Sequence, residues 1–174
     1  DFNISRITHF GHSIDVFWDS IKDSYDFITE RTMDYLNWRY CDPRGGNYTV
    51  KIAEKNGRIL GYSVLRIDNY RKEYPIGYVV DLLTLPGQLD VVDALVSDAV
   101  NYFDRSNINI TYYRNFKNHP YESVFSRYGF IYDRHKSLTS YRILSRAHAI
   151  DEELPKSQTS VSRMHLVYGD FDRI

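Results

Sequence analysis

Apolar and polar positions alternate first at Phe2, Ile4 and Ile7, which fits a short strand over residues 1–9. After Gly11 the period changes. Ile14, Phe17, Trp18, Ile21, Tyr25 and Ile28 recur at helical spacing, so one helix is expected from residue 14 to 28, with Ser13 or Asp15 as its cap. Thr32 opens a second helix over residues 33–40, which Pro43 and the Gly45-Gly46 pair terminate. Alternation returns over residues 47–53 and again over 58–67. Between them Asn56-Gly57 forms a two-residue hairpin turn.

Residues 76–85 are apolar on both faces, as in a central strand covered from both sides. Pro86-Gly87 then turns the chain. Leu89, Val92, Leu95, Val96, Ala99, Val100 and Phe103 mark one face of a helix of about 15 residues. A strand over 108–113 and a helix over 120–128 follow, the helix stopped by Gly129 in a left-handed conformation. Further strands are expected at 130–132, 138–144 and 163–168, with a polar loop at 147–159 and a turn at Gly169-Asp170-Phe171-Asp172. A hairpin feeding a strand–helix–strand–helix–strand unit predicts an α/β (α+β) architecture. Its sheet is mixed, mainly antiparallel and twisted, with helices on both faces. No repeat or internal linker divides the chain, so a single domain is expected: residues 1–12 as strand or linker, 13–144 as core, and 145–174 as loop plus final strand.

The 174 residues suffice for one core, and 43% hydrophobic with 26% charged residues excludes the disordered and low-complexity classes. A net charge of −1 argues against a sequence-independent nucleic-acid binder. The single cysteine, Cys41, excludes an internal disulfide and fits a reducing, cytoplasmic setting. No apolar run approaches the roughly 18 residues that span a bilayer. The first residue is Asp, and no signal peptide is visible, which suggests one lobe of a longer protein.

Two details give the order of elements a likeness. The apolar strand ends at Leu85-Pro86-Gly87 and runs into an amphipathic helix. Later, Asn118 precedes a short helix carrying tyrosines and closed by Gly129-Phe130. In both respects the chain resembles the GCN5-related N-acetyltransferase (GNAT) family. Tyr35-Leu-Asn-Trp-Arg-Tyr40 before a proline, with Gly169-Asp-Phe-Asp172 after a final strand, is similar to the C-terminal lobe of two-lobed members. The resemblance implies acetyl-CoA or another acyl-CoA as co-substrate, held by Leu83, Thr84, Leu85, Gly87, Gln88 and Asn118, and no metal. It implies an amine acceptor, small or peptidic, near Trp38, Arg39 and Tyr40, which would clamp a carboxylate or phosphate. The alternative there is that Trp38 is core and Arg39 pairs with an acid. The resemblance also raises a second lobe or a homodimer as partner.

Several positions depart from that pattern. The family's paired glycines at the helix start fall on Asp90 and Val92, where glycine would let phosphates approach the backbone. From residue 73 to 104 there are six acids and no Lys, Arg or His. The family's general-acid tyrosine falls on Phe125, leaving Tyr128 or Tyr121 to substitute, or both to be packing residues. Asp81, inside the buried strand, reads either as a general base with its pKa raised by burial or as a carboxylate partnered by a Tyr or Arg.

Other constellations are weaker. His9-x-x-His12 has no third ligand at suitable spacing, and Gly169-Asp-Phe-Asp172 has too few carboxylates for calcium. Cys41 has no neighbouring base. Residues 112–119 interleave aromatic and basic side chains, as single-strand nucleic-acid platforms do, and as half-exposed strands do. The basic group Arg127, Arg134, Lys136, Arg142 and Arg146 fits either a phosphate-bearing ligand or a solvated face. Three functions are therefore expected in turn: an acyl-CoA N-acyltransferase, a degenerate lobe that binds acceptor or supports a partner, and a nucleic-acid module.

Overall fold

The Asn56-Gly57 turn forms as its composition requires, with φ of 51° and 77°, values that suit Asn and Gly best. It joins β3 (Thr49–Lys55) to β4 (Arg58–Asp68) in a tight antiparallel hairpin. In this computed structural model, residues 1–69, 74–116, 118–131 and 163–171 are described. β1 (Asn3–Ile7) adds antiparallel to β3, and β5 (Ile76–Thr84) antiparallel to β4. β6 (Ile110–Tyr113) lies parallel to β5, giving a five-stranded sheet in the order β1-β3-β4-β5-β6. β2 (Phe27–Ile28) and β7 (Met164–His165) form a separate parallel pair.

Helices cover both faces. Against one face pack α1 (Ser13–Ile21) and α2 (Met33–Leu36), which continues as a π-helix over Asn37–Cys41. Ile14, Phe17, Ile21, Leu36 and Tyr40 meet Val64, Val80 and Leu83 there. Against the other lie α3 (Leu89–Arg105) and α4 (Glu122–Arg127), with Leu95, Val96, Ala99 and Phe103 on Leu65, Val79 and Leu82. Covered on both sides, β5 is buried throughout residues 79–84, which explains its unbroken apolar run. Gly77 is required where Phe103 crosses the strand, since a Cβ there would stand 2.7 Å from the ring. The mixed, mainly antiparallel sheet with helices on both faces is as expected.

The first long helix is not. α1 ends at Ile21, and a 3-10 turn over Lys22–Ser24 leads into β2. The Asp26 N–H donates to the Arg163 carbonyl (2.8 Å), so pairing with β7 takes the chain away from helical hydrogen bonding. Neither Ser13 nor Asp15 caps α1; the Asp15 carboxylate instead accepts the Met33 N–H (2.7 Å). α3 runs 17 residues, slightly longer than its apolar face suggested. Of residues 163–168 only Met164–His165 are strand, and a 3-10 turn follows over Tyr168–Asp170. Phe130 and Ile131 are not strand, whereas Gly129 stops α4 at φ 81°. The expected strand at 138–144 and loop at 147–159 lie outside the described residues, as do Arg134, Lys136, Arg142 and Arg146. Among the described residues no helix is long and apolar enough to cross a membrane.

Candidate active site at the splay of the central strand

β5 and β6 pair only from Ile76/Ile110 to Val79/Tyr113. Beyond that point β6 has ended and β5 runs on through residues 80–84. At the same place Leu65 opposes Val79 while Val64 opposes Asp81, so Val80 is bulged. A bulge sets two successive residues on one side of the strand, and here Val80 and Asp81 both face α1 and α2. The strand thus delivers a carboxylate into an otherwise apolar layer, beside a neighbour that has splayed away.

Four donors surround the carboxylate. Its Oδ2 accepts from Arg31 Nε (2.9 Å), Tyr62 Oη (2.9 Å) and Tyr40 Oη (3.1 Å). Its Oδ1 lies 3.6 Å from His165 Nε2. Burial alone would push the carboxyl up, but the Arg31 guanidinium outweighs it, with His165 and Tyr62 contributing, and holds Asp81 below the usual carboxylate range. The expectation of a base with a raised pKa is thereby corrected, because a buried cation sits on the carboxylate. Arg31 is itself fully buried, and it reaches the Thr29 carbonyl (3.1 Å) and Asp170 (2.7 Å) besides. Burial works against its charge; Asp81, Tyr62 and Asp170 together overcome that and raise its pKa further.

The C-terminal segment closes over this hub. Arg39 donates to the carbonyls of Gly169 (3.0 Å) and Phe171 (2.8 Å). Arg114 lies between the rings of Tyr168 and Phe171, 4.7 and 4.6 Å from their centroids. Asp170 accepts the Val167 N–H (2.9 Å) as well as Arg31. Gly169 fits only as glycine, since a Cβ would fall 1.8 Å from Tyr40 Oη.

On the other side of β5, Tyr121 is nearly buried and its hydroxyl takes the Thr84 N–H (3.0 Å) and pairs with Thr84 Oγ1 (3.0 Å). The Tyr25 hydroxyl lies near enough to influence it. Burial pushes the Tyr121 phenol up, while Thr84 and Tyr25 pull the other way. His119 accepts the Tyr121 N–H at Nδ1 (3.2 Å), and burial with the neighbouring His165 pushes its imidazole down to about 3.

The remaining expected site residues are scattered more widely. Tyr128 makes a long hydrogen bond to the Asp93 carbonyl on α3 (3.4 Å), away from Asp81, and Phe125 stacks on Tyr113 at 3.8 Å. Leu83 is buried under α1. The Leu85 N–H is bonded to the Leu60 carbonyl (2.9 Å), and Thr84 belongs to Tyr121. Gly87 has φ 77° with open space at its Cβ position, and the Gln88 carbonyl accepts the Val92 N–H (3.1 Å). Asn118, at φ 67°, gives its N–H to the Glu122 carboxylate (2.7 Å). Trp38 is exposed against Tyr35 and is not core, while Arg39 binds carbonyls instead of an acid. Val92 is fully buried in the core; Asp93 pairs with Arg127 (2.9 Å) and Asp98 with Lys51.

In residues 112–116 the aromatic faces are already covered, Tyr113 by Phe125 and the Arg114 cation by two rings. His12 pairs with Asp15 (3.7 Å), and among the described residues no three His, Cys, Asp or Glu converge on a metal position.

Known structures supply the comparison. An aminoglycoside acetyltransferase from an uncultured soil metagenomic sample, in complex with sisomicin, superposes with a TM-score of 0.52 at 15% identity, over 72% of this chain and 85% of that one. An acetyltransferase of Trypanosoma brucei gives 0.56 at 14% identity, over 77% and 95%. A predicted acetyltransferase of Clostridium acetobutylicum with acetyl-CoA gives 0.55 at 16%, over 77% and 92%. The chain has the GNAT fold. No family model and no curated protein matches its sequence. In this chain the bulge in β5 and the end of its pairing with β6 fall at the same place along the strand. The residues clothing that gap (Arg31, Tyr62, His119, His165 and Asp170) were not picked out from the sequence.

Proposed function

We propose that this domain is an N-acyltransferase of the GNAT type, taking an acyl group from acyl-CoA and passing it directly to a small-molecule amine. The observation that carries the reading is the Tyr121 hydroxyl on Thr84, at the open end of β5 where β6 has stopped. Acyl-CoA supplies an activated thioester. The Leu83, Thr84 and Leu85 backbone forms the edge along which an extended arm would lie, and the Pro86-Gly87-Gln88 turn, open at Gly87, gives room at its mouth. Tyr121 would serve as the acid. Its oxygen already accepts the Thr84 N–H, so the phenolate left by proton donation keeps a donor. The aminoglycoside and acetyl-CoA complexes among proteins of this fold support the choice of amine and co-substrate.

Calorimetric titration with acetyl-CoA, with dephospho-CoA as control, tests the first half. Micromolar binding, about −8 kcal/mol, is the expected result. Tyr121→Phe should then leave that affinity unchanged and slow thiol release from acetyl-CoA by roughly a hundredfold or more. Heat no different from dilution would sink the transferase.

A second reading rests on the start of α3. Buried Val92 and exposed Asp90 stand where a pyrophosphate would need bare backbone, and carboxylates there repel an anion. On that reading the domain is a non-catalytic lobe that supports a partner lobe or a dimer, and the titration stays silent.

A further inference from the structure

Buried polar atoms are nearly always hydrogen-bonded, so exceptions at one place ask for a reason. Among the described residues, buried side-chain atoms without a hydrogen-bond partner include Asp81 Oδ1, His119 Nε2 and both ring nitrogens of His165. These four belong to residues gathered at the splay, while a fifth such atom, Ser63 Oγ, lies on β4. His165 is fully buried, with the rings of Tyr25, His119 and Tyr121 at 5.3, 5.6 and 6.5 Å. Its Nε2 stands 3.6 Å from Asp81 Oδ1, the one carboxylate oxygen that Arg31, Tyr40 and Tyr62 leave alone.

We infer that Asp81 and His165 form a carboxylate–imidazole pair in which His165 is the proton acceptor for the amine; this rests on the acyl transfer proposed above. A carboxylate beside Nε2 favours the tautomer with hydrogen on Nε2 and leaves Nδ1 with a bare lone pair. Asp81 is unsuited to be the base itself, because Arg31 and two tyrosines hold it ionised, but the same carboxylate orients the ring through Nε2. His119 is fixed in the complementary state: Nδ1 accepts from the Tyr121 N–H, so Nε2 carries the hydrogen.

The step balances. The amine nitrogen bonds to the thioester carbonyl carbon and gives one proton to His165 Nδ1. The C–S bond breaks, and the sulfur takes the Tyr121 proton. The imidazolium then returns its proton to the tyrosinate, which restores both groups. Among the described residues, the charged and titratable groups around His165 are Asp81 on β5, Arg31 behind it, Tyr25 before β2, and His119 and Tyr121 before α4.

The test uses the unaltered chain and His165→Gln, whose amide keeps a donor for Asp81 and has no basic nitrogen. Nitrogen-15 spectra of the unaltered chain should show His165 with hydrogen on Nε2 and a bare Nδ1. His165→Gln should melt within a few degrees of the parent and bind acetyl-CoA equally. With sisomicin as the amine it should release thiol at least a hundredfold more slowly, with the ascending limb of the pH profile gone. A hydrogen on Nδ1 with Nε2 bare overturns the assignment whether or not turnover is seen. Thiol release within threefold of the parent overturns it while leaving the acyltransferase intact. Failure of the unaltered chain to bind acetyl-CoA removes both, and is distinguished by occurring without any substitution.

Discussion

The two faces of β5 solve the same burial problem by opposite means. Towards α3 and α4 the layer is apolar, Val79 and Leu82 against Leu95, Val96 and Phe103. Towards α1 and α2 the same strand, turned by one bulged residue, buries a carboxylate, a guanidinium and two phenols among the hydrocarbons. Apolar packing tolerates loss by degrees, since each missing methylene is one increment of burial. A charge hub does not, because removing one partner strands the other in a low dielectric.

The sharpest way to break this contrast is Asp81→Ala. It leaves Arg31 buried beside a void, and should destabilise the fold by about 3–5 kcal/mol in urea unfolding. Combining it with Arg31→Met should cost clearly less than the sum of the two single changes; simple additivity would show that the pair is not coupled. On the apolar face, Leu95→Ala should cost about 2–5 kcal/mol, set by how far the cavity collapses, and should add to Asp81→Ala without interaction.

Acid separates the faces further. His119 has its pKa pushed down to about 3, so between its ordinary value of 6.5 and that point the unfolded chain binds a proton that the folded chain refuses. Stability should therefore fall as pH falls through that window, by about 1.4 kcal/mol per unit, and His119→Gln should flatten the slope. Asp81 acts in the same direction at lower pH, since its carboxyl is held below the usual range and its contribution is lost on protonation. The smallest effect is expected at the solvent-facing Arg127–Asp93 pair, where Arg127→Ala should change stability by at most about 1 kcal/mol. A larger loss would mean that α4 depends on that pair to dock on α3.

The apolar face was legible in the residues. Val92, Leu95, Val96, Ala99 and Phe103 repeat at helical spacing because a single stripe faces the sheet, while Leu89, at the start of that series, is exposed. The hairpin was legible for a different reason, as Asn56-Gly57 is local chemistry. β2 was not, since Tyr25 and Ile28 continue the helical spacing of α1 and only the distant β7 draws them into a strand. The hub was half legible. Asp81 stood out against its apolar run, and a Tyr or Arg partner was among its expected readings. Arg31, His165 and Asp170 could not be assigned, because their closeness is a product of the fold: 139 positions separate Arg31 from Asp170. Tyr121 and Tyr128 sit on one short segment and are equal in sequence. Only the end of β5 distinguishes them, giving Tyr121 to Thr84 and Tyr128 to the back of α3.

The phenols packed around β5 carry a consequence at the opposite end of the pH scale. Burial raises the pKa of Tyr25, Tyr40, Tyr62, Tyr113 and Tyr121 above that of free tyrosine. In alkali these rings give up their protons less readily in the folded chain than in the unfolded one, which ionises freely above about pH 10. Each one therefore withdraws support for the native state as alkalinity rises. The ultraviolet band of tyrosinate should accordingly grow in two stages, a gradual one from the solvent-facing rings and an abrupt one when the interior opens, so that the tyrosines themselves record the moment of collapse.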